Sequence, residues 1–317
     1  MKKYLSLFRW PNILIILLLE YLLKYGLFEK QLHLRGIDFP INDIWFGFFA
    51  ISTVFVAIAG YIVNDIEDIE IDKINRPDRP ISAGIISISQ ARTLQWFFEI
   101  AAVVLGAAVA FHIGHISLVS IHLFLILLLR AYATKLKCKG LLGNLVVAFS
   151  TASVPYWVWI YVAYALQSTG LYSIVDLSVA NIITLFYWSF AFIFTLIREI
   201  VKDLEDLKGD QQQNCKTLAV TMPLQKAKNL VMILNGLAIS AILWFQFLMF
   251  SSFNSLDQVG KGATLFVANF VSIIVIVLIQ ILPKVIKANS SYDFNKIGIS
   301  LKIIMLAGIL QLLFLLF

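Results

Sequence analysis

NDIEDIEIDKINRPDRPIS, residues 64–82, follows directly on the apolar run 45–63, which has the length of one membrane crossing. Asp65, Asp68 and Asp72 stand at i, i+3 and i+7, so a helix continued past the apolar run carries all three on one face. Glu67 and Glu70 turn elsewhere, and Lys73, Arg76 and Arg79 follow at once. Carboxylates at the mouth of a membrane helix are costly to keep near lipid and mark function. Acids aligned on one face and backed by bases suit a site that holds divalent cations and, through them, a polyanion.

The pattern returns. Residues 203–210 read DLEDLKGD against DIEDIEID at 65–72, and again an apolar run, 180–197, leads into them. Asp203, Asp206 and Asp210 take the places of Asp65, Asp68 and Asp72. Two solvated acidic loops would not be expected to repeat eight residues at two membrane exits.

Hydrophobic residues make up 60% of the chain and charged ones 14%, with a mean hydropathy of +0.86. A soluble domain cannot hide that much apolar surface. Candidate spans are 13–27, 45–63, 94–113, 116–133, 141–166, 179–197, 230–250, 264–281 and 297–317. The expected fold is therefore all-α, with nine transmembrane helices bundled around a central cavity and forming one domain over 1–317. Met1-Lys2-Lys3 leads into the first span without a small-residue cleavage site, so that span is read as a retained helix. With Met1 inside, 21 of the 25 basic residues fall on the inner side, and only Lys24, Lys30, Arg35 and Lys261 fall outside. Both aspartate motifs then face the cytoplasm from a multi-pass protein of the cell membrane. The net charge of +6 is a topology signal and no sign of nucleic acid binding. Cys138 and Cys215 also lie inside, where disulfides are unusual, and are expected as free thiols.

Other residues can be placed around the motifs. Arg9, before Trp10-Pro11-Asn12, is either an interfacial anchor or a cation facing the site. Glu20 and Lys24, four apart, are expected to pair with each other. His112, His115 and His122 gather near the second outer turn, as interfacial histidines do. In the inner loop 130–144, Tyr132 and Lys137 must pass close to the acidic motifs, and Gly140, Gly143 and Asn144 permit a tight re-entry. Arg198 and Lys202 bring charge into the sixth span before its aspartates begin.

Two aspartate clusters on helix ends, flanked by Arg and Lys, make a diphosphate trap. Mg²⁺ binds a few carboxylates and completes its shell from phosphate oxygens and water. Two such ions bridging a diphosphate would neutralise the charge growing on a leaving group, and lysine or arginine would add direct contacts. If the diphosphate is an allylic ester, aromatic faces can stabilise the carbocation left behind. A reading from another class is a cation transporter. Transporters bury their acids at mid-membrane in broken helices, whereas both clusters here lie at one face.

NDIEDIEID resembles the NDxxDxxxD signature of the UbiA-type intramembrane prenyltransferases, through Asn64, Asp65, Asp68 and Asp72. DLEDLKGD resembles the second aspartate motif of that family, through Asp203, Asp206 and Asp210. The resemblance implies Mg²⁺-dependent transfer of a prenyl group from a prenyl diphosphate donor to a lipid or aromatic acceptor, within membrane lipid. All six aspartates are implied as metal ligands. Asp65, Asp68, Asp203, Asp206 and Lys137 are the expected catalytic set. Asn64, Arg9, Arg76, Arg79, Tyr132, Lys137, Asn144, Arg198 and Lys202 are expected to contact substrate. DKINRPDRPISAG, Tyr132 with LKCKGLLGN, and REIVKDLEDLKGD are most similar to the branch that makes digeranylgeranylglyceryl phosphate. That branch implies a geranylgeranyl diphosphate donor, a geranylgeranylglyceryl phosphate acceptor and a step in ether-lipid synthesis. Lys135 stands where that branch would have an apolar residue, and an aromatic acceptor of a quinone, tocopherol or haem pathway is the alternative.

The charge asymmetry makes a direct prediction. Reporters inserted near Lys208 and near Lys30 should report opposite sides of the membrane, with Lys208 on the cytoplasmic one. The same side for both would mean that a span has been miscounted.

Overall fold

The computed structural model describes residues 2–175, 177–251 and 258–315. The helices, in chain order, are α1 Lys2–Leu7, α2 Trp10–Leu22, α3 Lys30–His33, α4 Asp43–Glu67, α5 Ile69–Asn75, α6 Ile88–Ile113 and α7 Val119–Ala131. They continue with α8 Leu141–Ser168, α9 Ser178–Gln212, α10 Leu218–Thr221, α11 Leu224–Ser251, α12 Gln258–Lys287 and α13 Ser291–Leu310. Two π-helical stretches, Leu23–Glu29 and Tyr132–Leu136, extend α2 and α7. Among the described residues there is no strand, only an isolated bridge between Lys139 and Lys216.

Starts and stops follow local chemistry. Asn42 caps α4 by accepting from the Trp45 N–H, and Ser87 with Gln90 forms a capping box on α6. Gly114 ends α6 at φ 84°, a left-handed position that glycine takes without a Cβ penalty. Ser290 and Asp293 cap α13 in the same reciprocal way as the α6 box.

Eight helices among the described residues are long and apolar enough to cross a membrane, from Trp10–His33 to Ser291–Leu313. The ninth expected span, 264–281, lies on α12, part of whose side chains fall outside the described residues. Two apolar clusters organise the bundle. One joins Leu22, Phe28, Phe46, Phe49, Tyr161 and Val162 of the first half. The other joins Phe194, Ile197, Ile200, Leu278, Phe294 and Leu301 of the second. α9 reaches both through Tyr187 and Phe194, so it ties the halves together.

Three local expectations are corrected. Glu20 and Lys24 do not pair with each other. The π turn beginning at Leu23 brings residues five apart into line, and Lys24 Nζ meets Glu29 at 3.1 Å and also Asp43. Glu20 turns to α4, where Thr53 Oγ1 lies 2.5 Å from its Oε1. His122 is not interfacial but buried, 2.8 Å from Ser52 Oγ, and its ring fills the space where a side chain on Gly106 would stand. His112 and His115 do lie against rings, Trp45 and Tyr164.

The third correction concerns the cysteines. Cys138 and Cys215 are bonded to each other, with Cα atoms 4.7 Å apart and 77 residues between them in sequence. The chain after α9 returns under the α7–α8 loop, where the Gly140 N–H donates to the Lys216 carbonyl at 2.8 Å. That contact aligns the two cysteines regardless of the compartment rule. Denatured but unreduced protein is therefore expected to show no reactive thiol in a thiol-titration assay, and two after reduction.

Candidate active site

All the charged residues singled out around the two motifs gather at one end of the bundle. The α4 helix ends at Glu67, and Asp68 (φ −90°, ψ 5°) separates it from α5. In spite of this break, Asp65, Asp68 and Asp72 are all buried on the same side, at 3%, 4% and 2% exposure. Buried carboxylates demand partners, and segments far apart in the chain provide them. Arg9 Nη2 donates to Asp65 at 2.7 Å. Arg79 Nη1 bridges Asp65 at 2.8 Å and Asp72 at 2.7 Å. Lys137 Nζ pairs with Asp68, which also accepts from Asn64 Nδ2 at 2.6 Å. Burial pushes the Asp72 carboxyl up, against the pull of the Arg79 guanidinium.

Arg9 is aimed by its backbone. It sits at φ 52°, a left-handed conformation that is rare for a residue with a Cβ, directly ahead of Trp10 and Pro11. Its guanidinium lies over the Tyr61 ring at 4.6 Å. Of its two readings, the structure supports the site-facing cation. Lys137 is aimed by the second π stretch. Its N–H donates to the Tyr132 carbonyl, so these two residues stack along one face, and Tyr132 lies within electrostatic reach of Asp68, Asp203 and Glu199.

The second motif faces the first. Asp203 accepts from Asn144 Nδ2 at 3.0 Å, Asp206 from Arg76 Nη2 at 2.9 Å, and Asp210 from Thr217 Oγ1 at 3.0 Å. Arg198 and Lys202 both turn to Glu199, at 2.6 and 3.9 Å. Thus every expected site residue lies in or beside this layer.

Sequence reasoning missed Asn75. Its side chain, at the end of α5, donates to the Asp206 carbonyl at 2.9 Å and accepts from the Gly209 N–H at 3.1 Å. A Cβ on Gly209 would come within 2.5 Å of that amide, so a glycine is required there. No spacing rule points to Asn75; only the close approach of α5 to α9 does. Thr217 and Glu199 were missed too, although Glu199 adjoins Arg198.

The donors offered are hard oxygens, the class that Mg²⁺ or Ca²⁺ takes. Among the described residues, however, no group of three His, Cys, Asp or Glu is gathered closely enough to hold an ion as it stands. Arginine or lysine instead occupies carboxylate oxygens of Asp65, Asp68, Asp72 and Asp206. In donor chemistry the residues fit a hard divalent cation.

A profile of the UbiA prenyltransferase family matches residues 37–281. This chain belongs to that family. With eight candidate spans among its described residues, it is a multi-pass membrane protein. The digeranylgeranylglyceryl phosphate synthase of Sulfurisphaera tokodaii is 39% identical over 171 residues, which cover 54% of this chain and 55% of the relative. The match thus spans about half the length of that relative. A solved structure concerned with digeranylgeranylglyceryl phosphate synthase in membranes has a TM-score of 0.63 at 23% identity, covering 99% of this chain and 98% of its own. A UbiA homolog from Archaeoglobus fulgidus, bound to GPP and Mg²⁺, has a TM-score of 0.54 at 15% identity, covering 98% and 99%. At these identities both structures establish the shared fold.

The Asn75 clamp can be tested by stability. Asn75→Ala removes both bonds and Gly209→Ala drives a methyl into the amide, and each should cost about 1–3 kcal/mol. Thermal unfolding in detergent should show the loss, while Asp78→Ala, at an exposed position just beyond, should leave the midpoint unchanged.

Proposed function

We propose that this chain is a Mg²⁺-dependent prenyltransferase that moves a geranylgeranyl group from its diphosphate to geranylgeranylglyceryl phosphate. It acts as one unit at the cytoplasmic face of a cell membrane, in ether-lipid synthesis. The observation that carries this reading is the opposition of two aspartate motifs, each carboxylate of which has an Arg, Lys, amide or hydroxyl partner. Such a layer is matched to a metal-bound diphosphate and to little else. Family membership and the synthase name of the Sulfurisphaera tokodaii relative support the reading, and the GPP and Mg²⁺ bound by the Archaeoglobus fulgidus homolog support the metal.

Asp65, Asp68, Asp72, Asp203, Asp206 and Asp210 would hold the metal, with Asn64 and Asn144 orienting Asp68 and Asp203. Bound Mg²⁺ supplies charge neutralisation for a diphosphate leaving group. Arg9, Arg79, Lys137 and Arg76, released from the carboxylates, contact the phosphate oxygens and hold the diphosphate as it departs. The bond that breaks joins the allylic carbon to the diphosphate oxygen, which keeps the electron pair. The new bond joins that carbon to the acceptor hydroxyl oxygen, and the hydroxyl proton passes to a nearby carboxylate or to the diphosphate. Lys137 and Tyr132 share one face of the π turn, so the same turn presents a phosphate contact and an aromatic ring that can face the allylic cation.

The test is the product made from labelled geranylgeranyl diphosphate by purified protein in lipid nanodiscs. Offered both geranylgeranylglyceryl phosphate and an aromatic acid, it should label the lipid phosphate alone, and EDTA should abolish the product. Asp65→Ala and Asp203→Ala should each lower turnover by at least ~10², about 2.7 kcal/mol of transition-state stabilisation. Labelling of the aromatic acid alone would reject the acceptor, and full turnover in both folded variants would reject the diphosphate trap.

A further inference from the structure

The disulfide joins two segments that each belong to the aspartate layer. Cys138 directly follows Lys137, whose Nζ pairs with Asp68 of the first motif. Cys215 is fixed on Asp210 of the second. Its N–H donates to the Asp210 carbonyl at 2.9 Å, and its own carbonyl accepts from the Thr217 N–H at 2.8 Å. Thr217 Oγ1 returns to the Asp210 carboxylate at 3.0 Å. Asn214 makes this turn beyond α9 in the left-handed region, at φ 53°, which asparagine tolerates better than most residues. One covalent bond thus links the neighbour of a cation that serves one motif to a turn built on an aspartate of the other.

Two kinds of contact hold the turn that carries Lys137. Its side chain is anchored on a carboxylate, and on the proposed function that anchor is lost when Asp68 turns to metal. Its main chain is held by contacts that do not exchange. The Lys137 N–H donates to the Tyr132 carbonyl at 2.9 Å, and the Gly140 N–H to the Lys216 carbonyl at 2.8 Å. Gly143 lets α8 begin hard against the turn, since a Cβ there would stand 2.9 Å from the Leu136 and Lys137 carbonyl oxygens. Of the ties between this turn and the segment after α9, the disulfide adjoins Lys137 and is covalent, so it persists while the ion pair exchanges. It is also open to reagents from one side, because Cys138 is exposed and Cys215 is buried.

We propose that Cys138 and Cys215 are positioning residues for the donor diphosphate: their bond keeps Lys137 in place once Asp68 has left it, and reducing the bond weakens use of the prenyl diphosphate. This rests on the phosphate contact proposed for Lys137 above. Opening the bond takes two electrons and two protons from a dithiol. One sulfur of the dithiol attacks the exposed Cys138 Sγ, and Cys215 departs as a thiolate. The second sulfur then closes the disulfide of the reagent and releases Cys138, and the two thiol protons pass to the two cysteines. The contact between Gly140 and Lys216 remains, so the loop stays docked while Lys137 gains freedom. Donor use thereby follows the thiol–disulfide poise of the solution that the aspartate layer faces.

Steady-state kinetics in nanodiscs test this, comparing wild type before and after dithiothreitol, with thiol titration to count the cysteines freed. Reduction should raise KM for geranylgeranyl diphosphate about tenfold, with kcat and KM for geranylgeranylglyceryl phosphate within about twofold of the oxidised values. The double variant Cys138→Ser, Cys215→Ser should match the reduced enzyme, and makes the same comparison where the bond resists the reagent. In Lys137→Ala, reduction should change nothing further, because the amine that the bond places is gone. An unchanged donor KM, a rise in both Michaelis constants together, or an equal response in Lys137→Ala would overturn the proposal. A second arm needs no turnover: binding of inorganic pyrophosphate with Mg²⁺ to the full chain, which should weaken about tenfold on reduction. Should oxidised wild type prenylate only an aromatic acid, the acceptor class alone fails, and the donor KM and pyrophosphate binding still decide the role of the bond. Should it bind no pyrophosphate, the diphosphate trap and the positioning role fall together.

Discussion

Carboxylates repel one another, and here six of them are drawn to one end of an apolar bundle. Four, Asp65, Asp68, Asp72 and Asp210, are almost wholly out of solvent. Leaving any such charge without a partner would cost several kcal/mol. The cations that answer them come from the segment before α2, from the loop after α5 and from the π turn after α7. The ion pairs are thus long-range ties that draw separate parts of the chain into one layer. On the proposed function, each cation that holds a carboxylate would turn to a phosphate when metal takes its place.

Much of this was legible in the sequence because it is written in short-range spacing. Three aspartates at helical intervals, twice, announce a shared face, and the long apolar runs announce the spans. The helix break at Asp68 did not disturb the first motif, since α5 resumes at once and Arg79 spans Asp65 and Asp72. What escaped the reading depends on chain return. Asn75 matters only because Gly209 lets α5 approach α9, and the Cys138–Cys215 bond only because the segment after α9 passes beneath the α7–α8 loop.

Irregular backbone accounts for a second group of departures. Regular α-helix spacing pairs Glu20 with Lys24, but the π turn at Leu23 shifts the alignment by one residue and gives Lys24 to Glu29. The π turn at Tyr132 works the other way, lining up Lys137 with Tyr132 where a regular helix would part them. Arg9 adds a third device, a left-handed residue just before a Trp-Pro helix start. In each case a local distortion that propensity does not foretell sets the direction of a charged side chain. Two of the three serve the aspartate layer.

The Asn75 clamp separates the width of the site from its charge state. Every other tie across the layer ends on a carboxylate, mostly from Arg or Lys and otherwise from Asn144 or Thr217. Asn75 instead grips peptide groups of α9, which neither titrate nor ligate. The gap between the motifs is therefore gauged by main chain, like the fixed jaw of a caliper, whether the layer is full or empty. On the proposed function, emptying it would require only that side chains turn back, without the helices moving apart.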